Sequence, residues 1–314
     1  MSDFLGNDGA KSIEELTSLA GQGSADAQVT LGTMYESGNG ITQNYAEAAN
    51  WYRLAAEQGH AGAQLNLALL HYNGQGVPND YAETAKWARL AADQGDKAAQ
   101  FSLALLYEDG QGVPNDYAEA AKWYRLAAEQ GHAGSQFNLA LLYDDGKGVP
   151  NDHAEAARWC HLAAEQGHAG AQFKLGQKYD SGRGVTKDYA AASTWYRLAG
   201  DQGHVRAQVN LGQMFLTGEE GVPQDYKEAM NWFALAAEQG NAQARSLIGS
   251  MFFQGMSVPQ DYEEGMRWSR LAADQGFAEA QFNLGISYDH GHGVPIDFAE
   301  AAKGIGNYKN TGLG

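Results

Sequence analysis

The stretch AQFSLALLYEDGQGVPNDYAEAAKWYRLAAEQGHAG, residues 99–134, decides the fold of this chain. In its first part, apolar and small side chains recur at helical spacing, which predicts a helix over residues 99–108. Gly110 follows at once, and glycine readily takes the left-handed conformation that ends a helix. Asp116 then stands three residues before Glu119, a capping-box pattern that predicts the start of a second helix. The stretch therefore predicts a helix-turn-helix unit with a helix A and a helix B.

This unit recurs along the whole chain. Its first small residue returns every 36 residues, with one interval of 37 where Glu219 and Glu220 add a residue. All seven tryptophans share one repeat position, and all six prolines share another. Such a fixed period is the signature of a repeat protein. Position 0 of the eight repeats falls at Ala27, Ala63, Ala99, Ser135, Ala171, Ala207, Ala244 and Ala280.

The two ends depart from the repeat, as the ends of a solenoid should. Residues 12–20 resemble a lone helix B with a capping box of its own. We therefore assign residues 1–26 to an N-terminal capping helix and residues 27–302 to the repeats. The remainder, residues 303–314, is expected to be a frayed tail.

The pattern resembles the Sel1-like repeat, a relative of the tetratricopeptide repeat, over about residues 27–302. The matching elements are an A-x-x-x-L-G/A-x-x-Y run, a G-x-G-V turn and a D-Y-x-x-A-x-x-W-Y-x-x-A-A-x-Q-G run. The resemblance implies an all-α, right-handed α-solenoid of about eight 36-residue repeats that acts as a bacterial interaction scaffold. Some cysteine-rich relatives bind or hydrolyse β-lactams, but this chain lacks their cysteine pairs, so we do not carry that activity over.

The composition limits the classes of partner. Acidic residues outnumber basic ones by 38 to 21, which gives a net charge of −17. Such a chain repels phosphate backbones and anionic membranes, so we expect no nucleic-acid partner, whereas a basic protein remains compatible. No apolar run approaches the length of a membrane span, so no membrane insertion is expected. The chain as given lacks a secretory signal and is expected to be a cytoplasmic monomer, or periplasmic or secreted if a signal was removed.

The residues that could carry chemistry do not converge in the sequence. His60, His132, His168 and His204 share one loop position, so neighbouring copies lie a repeat apart, and we interpret them as solvated loop residues. His290 and His292 offer a metal ion two ligands without a third.

Cys160, next to His161, could be a nucleophile, but it replaces a core tyrosine and is predicted to be a buried structural cysteine. The G-x-G turns lack the other residues of a phosphate loop. We therefore predict no catalytic residue, no metal site and no cofactor.

A binding surface on helix A is the better prospect. At 100° per residue, positions 0, 4, 5, 7 and 8 form the core face, and positions 2, 6 and 9 lie opposite it. In tetratricopeptide-like solenoids that opposite face lines the concave surface, which predicts a groove with apolar and acidic strips. Alternatively, position 2 packs as core between neighbouring helices A, whereas the acids at position 9 are expected to be exposed. The predicted groove residues are Leu65, Leu69, Tyr72, Phe101, Leu105, Glu108, Phe137, Leu141, Asp144, Phe173, Gln177, Asp180, Val209, Gln213, Leu216 and Phe253.

A second candidate surface lies in the later repeats. Five of the seven methionines fall between residues 214 and 266. The side chains of Met214, Leu216, Met251, Phe253 and Met256 could form an adaptable apolar patch. The alternative is an irregular core repacked with methionine.

These features favour a non-enzymatic scaffold that binds a protein or peptide on the concave helix A surface, as a regulator or inhibitor of a basic partner. A toxin or effector immunity protein, or a host-contact protein, is one alternative. A purely structural spacer is another. A β-lactam or peptidoglycan hydrolase is the alternative from a different class, although the chain shows no convergent site that would support it.

Overall fold

The computed structural model describes residues 12–309 of the chain. This part holds 17 α-helices and no β-strand, which confirms the all-α solenoid predicted from the repeats. The odd-numbered helices from α3 onward are helices B, the even-numbered ones are helices A, and α1 is a lone helix B. Their bounds are α1 (Ile13–Gly21), α2 (Ala25–Ser37), α3 (Tyr45–Glu57), α4 (Ala61–Asn73), α5 (Tyr81–Asp93), α6 (Lys97–Asp109), α7 (Tyr117–Glu129), α8 (Ala133–Asp145), α9 (His153–Glu165), α10 (Ala169–Ser181), α11 (Tyr189–Asp201), α12 (Val205–Thr217), α13 (Tyr226–Glu238), α14 (Ala242–Gln254), α15 (Tyr262–Ala273), α16 (Ala278–His290) and α17 (Phe298–Lys309).

The described residues form two compact units, an N-terminal half that ends at Trp159 and a C-terminal half that begins at Cys160. Within each half, a helix packs mainly on the helices next to it in sequence. This local pattern is typical of a solenoid, in which each repeat buries its apolar face against its neighbours.

Helices A begin two residues before position 0, earlier than the sequence indicated. The residue at position −3 is the N-cap, and in α6 this is Asp96, whose carboxylate accepts hydrogen bonds from the backbone N–H groups of Ala98 and Ala99 at 2.9 and 2.8 Å. At the other end, Gly110 takes a φ of +69°, as its place after the helix predicted.

Helices B begin with the predicted aspartate cap, but the capping box is only half formed. Asp116 accepts hydrogen bonds from the N–H groups of Ala118 and Glu119 at 2.9 and 3.0 Å. The N–H of Asp116 already donates to the carbonyl of Tyr107 at 2.9 Å, so the Glu119 side chain has no donor to meet there. It pairs with Lys122 instead, at 2.5 Å.

A line of buried glutamines at position 1 ties successive helices together. The Gln100 side chain is 4% exposed, and its amide donates to the carbonyl of Ala92 at 3.2 Å. Its amide oxygen accepts a hydrogen bond from Gln130 of the next helix B at 2.9 Å. The same pair joins Gln64 to Gln94 at 2.7 Å. Because every buried polar atom of the pair finds a partner, the glutamines fix the spacing of the helices.

The extra residue in the sixth repeat forms a short bridged turn. Glu219 and Val222 exchange two backbone hydrogen bonds, each 2.8 Å long. Val222 is buried and packs in the core of the C-terminal half. The turn therefore takes up the extra residue, and α12 and α13 keep the 13 residues of the preceding helices.

At the N-terminus, α1 matches the helix expected over residues 12–20, and Ser12 caps it by accepting from the N–H of Glu15 at 3.1 Å. The rest of the proposed cap up to residue 11 lies outside the described residues. At the other end, α17 continues past residue 302 to Lys309, and the expected frayed tail is described only up to that residue. Among the described residues, no helix is long and apolar enough to cross a bilayer.

Candidate functional site

The predicted groove residues differ widely in exposure. Leu69 and Tyr72 are each 42% exposed, and Gln213 is also exposed. Phe173 and Val209 are buried in the core of the C-terminal half, so the prediction of an open groove is corrected at these two side chains. The half-buried members are Leu65, Phe101, Leu105, Glu108, Phe137, Leu141, Asp144, Gln177, Asp180, Leu216 and Phe253.

Position 2 packs against helix B and the following cap, whereas the alternative expected it to pack between neighbouring helices A. The ring of Phe101 lies 5.9 Å from that of Tyr124 and 4.7 Å from that of His132, between centroids. Phe173 stacks on His204 at 4.4 Å. These phenylalanines therefore pack within the solenoid, Phe173 completely and Phe101 in part.

The acids at position 9 have a structural partner that the sequence reasoning missed. The buried hydroxyl of Tyr124 donates to the Glu108 carboxylate at 2.6 Å, and Tyr196 donates to Asp180 at 3.2 Å. Burial, reinforced by Glu108, raises the pKa of Tyr124 far above its usual range, so this hydroxyl keeps its proton. The acids are half-buried because they accept these bonds, which corrects the expectation that they are simply exposed.

The fourth repeat keeps its acid by changing the partner. Cys160 stands where the first, third and fifth repeats have tyrosine, and Asp144 lies 3.2 Å from Nδ1 of His153. His153 itself replaces a tyrosine at the start of helix B. The two replacements in one repeat leave the acid with a polar neighbour.

An apolar cavity of about 390 Å³ brings five of the predicted groove residues together in the N-terminal half. It lies between the helices of the second repeat and α6 of the third. Leu69 and Tyr72 are exposed at its mouth, whereas Ala88 is fully buried. Its wall is formed by Leu65, Ala68, Leu69, Tyr72, Thr84, Ala88, Phe101, Ser102, Leu105, Leu106, Asp109 and Gln111.

Sequence reasoning missed this cavity, although a signal was present. Ala88 stands at position 25, where the first, third and fifth repeats have Tyr52, Tyr124 and Tyr196, all fully buried. A comparison of the repeats at this one position would have shown a missing ring. The cavity therefore marks the second repeat as different from its neighbours.

A row of exposed leucines on helices B was also missed. Each occupies position 27, or 28 after the insertion, and each is 38–46% exposed. The signal was a leucine at the same position of helix B in successive repeats, on the side of the helix that is turned away from the buried tyrosine at position 25. The row consists of Leu54, Leu90, Leu126, Leu198, Leu235 and Leu271.

The shared histidines are N-caps of helices A, which corrects their interpretation as solvated loop residues. Nδ1 of His168 accepts a hydrogen bond from the N–H of Ala171 at 3.1 Å, and His60, His132 and His204 make the same bond. Burial lowers the pKa values of His132, His168 and His204, so the neutral ring that can accept is favoured.

The remaining reactive side chains are used in packing. Cys160 is 1% exposed and its thiol donates to the carbonyl of Ala171 at 3.2 Å, which confirms the prediction of a buried structural cysteine. His292 stacks on Tyr262, with 4.5 Å between ring centroids. Over residues 12–309, no three histidine, cysteine or acidic side chains form a group that could hold a metal ion.

The methionine-rich region is largely core. Met214 and Met251 are buried at 6% and 1% exposure, which favours the repacked-core alternative for these two side chains. Leu216, Phe253 and Met256 are half-buried.

The model of the Sel1 repeat matches the chain eight times, over residues 25–60, 61–96, 97–132, 133–168, 169–204, 205–241, 242–277 and 278–303. The chain belongs to the Sel1 repeat family. Each match begins where a helix A begins, so the family's repeat is the helix pair described above.

Two solved structures resemble this Sel1 repeat protein along nearly its whole length. A Sel1 repeat protein from Oxalobacter formigenes is 34% identical with a TM-score of 0.71, over 97% of this chain and 88% of that one. A protective antigen of uropathogenic Escherichia coli strains with an SLR fold is 30% identical with a TM-score of 0.60, over 96% and 82% of the two chains. A comparison with curated proteins finds no match. Sel1 repeat proteins generally act as scaffolds for protein–protein interactions.

Proposed function

We propose that this Sel1 repeat protein is a non-enzymatic scaffold that binds a protein or peptide on the helix A surface, defined here as positions 2, 6 and 9. The observation that carries the proposal is the opening at Leu69 and Tyr72, where large apolar side chains are exposed above an apolar cavity. A single exposed leucine is ordinary on a protein surface, but apolar side chains clustered at a cavity mouth are typical of a binding site.

The chemistry of the surface selects the class of partner. Leu65, Leu69 and Leu105 supply apolar contact area, which drives association. Asp109 lies at the rim and is exposed, within a chain that carries a net charge of −17. A partner with lysine or arginine beside its apolar anchors therefore complements the surface, and the acidic field raises its rate of association.

The test compares two matched double variants by protein capture and mass spectrometry. Leu69→Ser/Tyr72→Ser removes the exposed side chains of the helix A surface. The control, Leu90→Ser/Leu126→Ser, removes two equally exposed leucines from helices B. We expect a partner that the native chain and the control retain and that the helix A variant loses. Loss with the control and retention with the helix A variant would contradict the proposed surface, and the capture of no partner by any of the three would favour a spacer.

A further inference from the structure

The cavity of the second repeat occupies the place of a side chain that other repeats supply themselves. Tyr52 and Tyr124, at position 25 of the first and third repeats, are fully buried. At the same position Ala88 offers only a methyl group, and the cavity of about 390 Å³ lies against it. An apolar cavity of roughly 150 Å³ already holds a benzene ring in a protein core. The space is therefore large enough for a phenol or an indole.

The polar partners of the missing tyrosine are changed in the same repeat. In the third repeat, the Tyr124 hydroxyl donates to Glu108 at 2.6 Å and accepts from Asn138 at 3.0 Å. The residues equivalent to Glu108 and Asn138 around the cavity are Tyr72 and Ser102. Tyr72 replaces the carboxylate that in the third repeat accepts a hydrogen bond from the tyrosine. Without that tyrosine, a half-buried carboxylate would be an unpaired charge and would cost stability. The cavity wall is thereby left without a buried ion.

The helices around the cavity keep their mutual hydrogen bonds although the ring is missing. Gln64 and Gln100 keep their bonds to the carbonyls of Ala56 and Ala92, at 3.1 and 3.2 Å. The first bond joins α4 to α3 and the second joins α6 to α5, while the side chain of Gln94 at the end of α5 donates to Gln64 of α4 at 2.7 Å. The helices therefore do not close over the space, which stays open to solvent beside Tyr72.

We propose that this cavity receives the side chain of a tyrosine or tryptophan from a partner protein, flanked in that partner by lysine or arginine. The partner supplies between molecules the ring that Tyr52 and Tyr124 supply within the chain. The exposed Asp109 at the rim accounts for the basic flanks. The inference rests on the proposed function, because it names the anchor by which the scaffold holds its partner. Buried aromatic anchors in pockets carry much of the binding energy in protein interfaces.

The first probe is p-cresol, which is the tyrosine side chain without its backbone, titrated into the full chain and followed by methyl NMR. We expect saturable binding at one site, with shifts at Leu65, Ala88 and Leu105. In the variant Ala88→Tyr, the chain's own ring fills the site, and binding should weaken at least about tenfold, since a buried ring contributes more than one decade of affinity. The third repeat shows that tyrosine is tolerated there, because Ala104 faces Tyr124 as Ala68 would face the new ring.

The matched control creates an equivalent cavity in the third repeat. Tyr124→Ala/Glu108→Tyr copies the replacements at positions 25 and 9 of the second repeat into the third and should add a second p-cresol site. Circular dichroism and the melting temperature establish that both variants are folded. Binding that Ala88→Tyr leaves unchanged, or no saturable binding to the native chain, would overturn the proposal even if the double variant does not fold.

The second probe is a capped nonapeptide, Gly-Lys-Gly-Lys-Tyr-Lys-Gly-Lys-Gly, compared with versions that carry a central alanine or glutamates in place of the lysines. We expect the native chain to prefer the tyrosine peptide over each of the other two by at least about tenfold, and the Ala88→Tyr variant to lose the preference for tyrosine. A lack of preference would overturn the partner proposal, even where p-cresol binds. If the native chain and Ala88→Tyr retain the same captured protein equally well, the scaffold function stands and this anchor fails.

Discussion

In the first, third and fifth repeats, the tyrosine at position 25 of helix B donates a hydrogen bond to the acid at position 9 of helix A. Tyr124 is fully buried, and its hydroxyl meets both Glu108 and Asn138. A hydrogen bond to a charged group contributes more to stability than one between neutral groups. When the donor is removed, the charged acceptor stays out of water without a partner, and this desolvation is costly. Such bonds explain why acidic residues recur at a half-buried position.

We expect Tyr124→Phe to lower the free energy of unfolding by about 1–3 kcal/mol, because Glu108 and Asn138 lose a partner while the ring still fills its space. Urea unfolding followed by circular dichroism measures the change. The control is Tyr117→Phe, at the half-buried first position of the same helix. An equal loss in both variants would show that the hydroxyl of Tyr124 has no special role.

The histidine caps make stability depend on pH. Burial places the pKa values of His132, His168 and His204 below the ordinary 6.5, so the unfolded chain binds protons more readily than the folded one. Their contribution to stability is therefore complete above about pH 6.5 and is lost as the pH falls through the lowered values. The hydrogen bond from Lys86 holds the pKa of the Glu83 carboxyl below its ordinary value.

We expect the melting temperature to fall between pH 7.5 and pH 5, and to fall less in His132→Asn/His168→Asn/His204→Asn. Asparagine keeps the cap without titrating, as Asn241 does at the start of α14, where it accepts from the N–H of Ala244 at 2.8 Å. Calorimetry at several pH values gives the slopes. Identical slopes for the native chain and the variant would rule out the histidines as the source.

At the scale of helices, the glutamine pairs join a helix A such as α6 to the helices B on either side of it. Gln100 reaches the carbonyl of Ala92 at the end of α5 and receives the amide of Gln130 from the end of α7. A buried amide with both ends bonded adds specificity to an interface that consists otherwise of alanine and leucine. The pairs fix the distance between helices where small residues alone would allow sliding.

We expect Gln100→Ala to lower the free energy of unfolding by about 1–3 kcal/mol, because it leaves the carbonyl of Ala92 without this donor and opens a void. Gln130→Ala, at an exposed position, should cost clearly less, since water can replace its amide. Hydrogen exchange across α5 to α7 would locate the effect. Equal protection in both variants would contradict the role given to the buried glutamine.

At the scale of the whole molecule, the excess of acidic residues is spread over the surface. The chain carries 38 acidic and 21 basic residues, and pairs such as Glu119 with Lys122 are exposed. Exposed pairs contribute little to stability, whereas the net charge of −17 repels itself across the molecule. Repulsion should therefore outweigh attraction at low ionic strength.

We expect the melting temperature to rise by a few degrees when NaCl increases from about 10 mM to about 150 mM, which shortens the screening length from about 30 Å to about 8 Å. Scanning fluorimetry with NaCl and with KCl separates screening from an effect specific to one cation. A falling melting temperature would mean that the exposed ion pairs outweigh the repulsion.

The helix pairs, their number, the starts of helices B and the glycines after helices A could all be predicted from the sequence. The 36-residue period, Asp116 before helix B and Gly110 after helix A are local signals, and each acts within one turn of the chain. The all-α solenoid could also be predicted from such local signals, because each repeat needs only its neighbours to bury its apolar face. The same signals carry the resemblance to the family.

Only the tertiary structure decided which side chains of the helix A surface are open. Phe173 is buried, whereas Leu69 is exposed, although both belong to the face opposite the core positions. Their exposure depends on the neighbouring helices. The cap residue His204 stacks on Phe173, whereas Leu69 borders the cavity beside Ala88. The cavity exists because α4, α5 and α6 meet where one ring is missing. The residue pattern of a single helix cannot predict a contact among three helices.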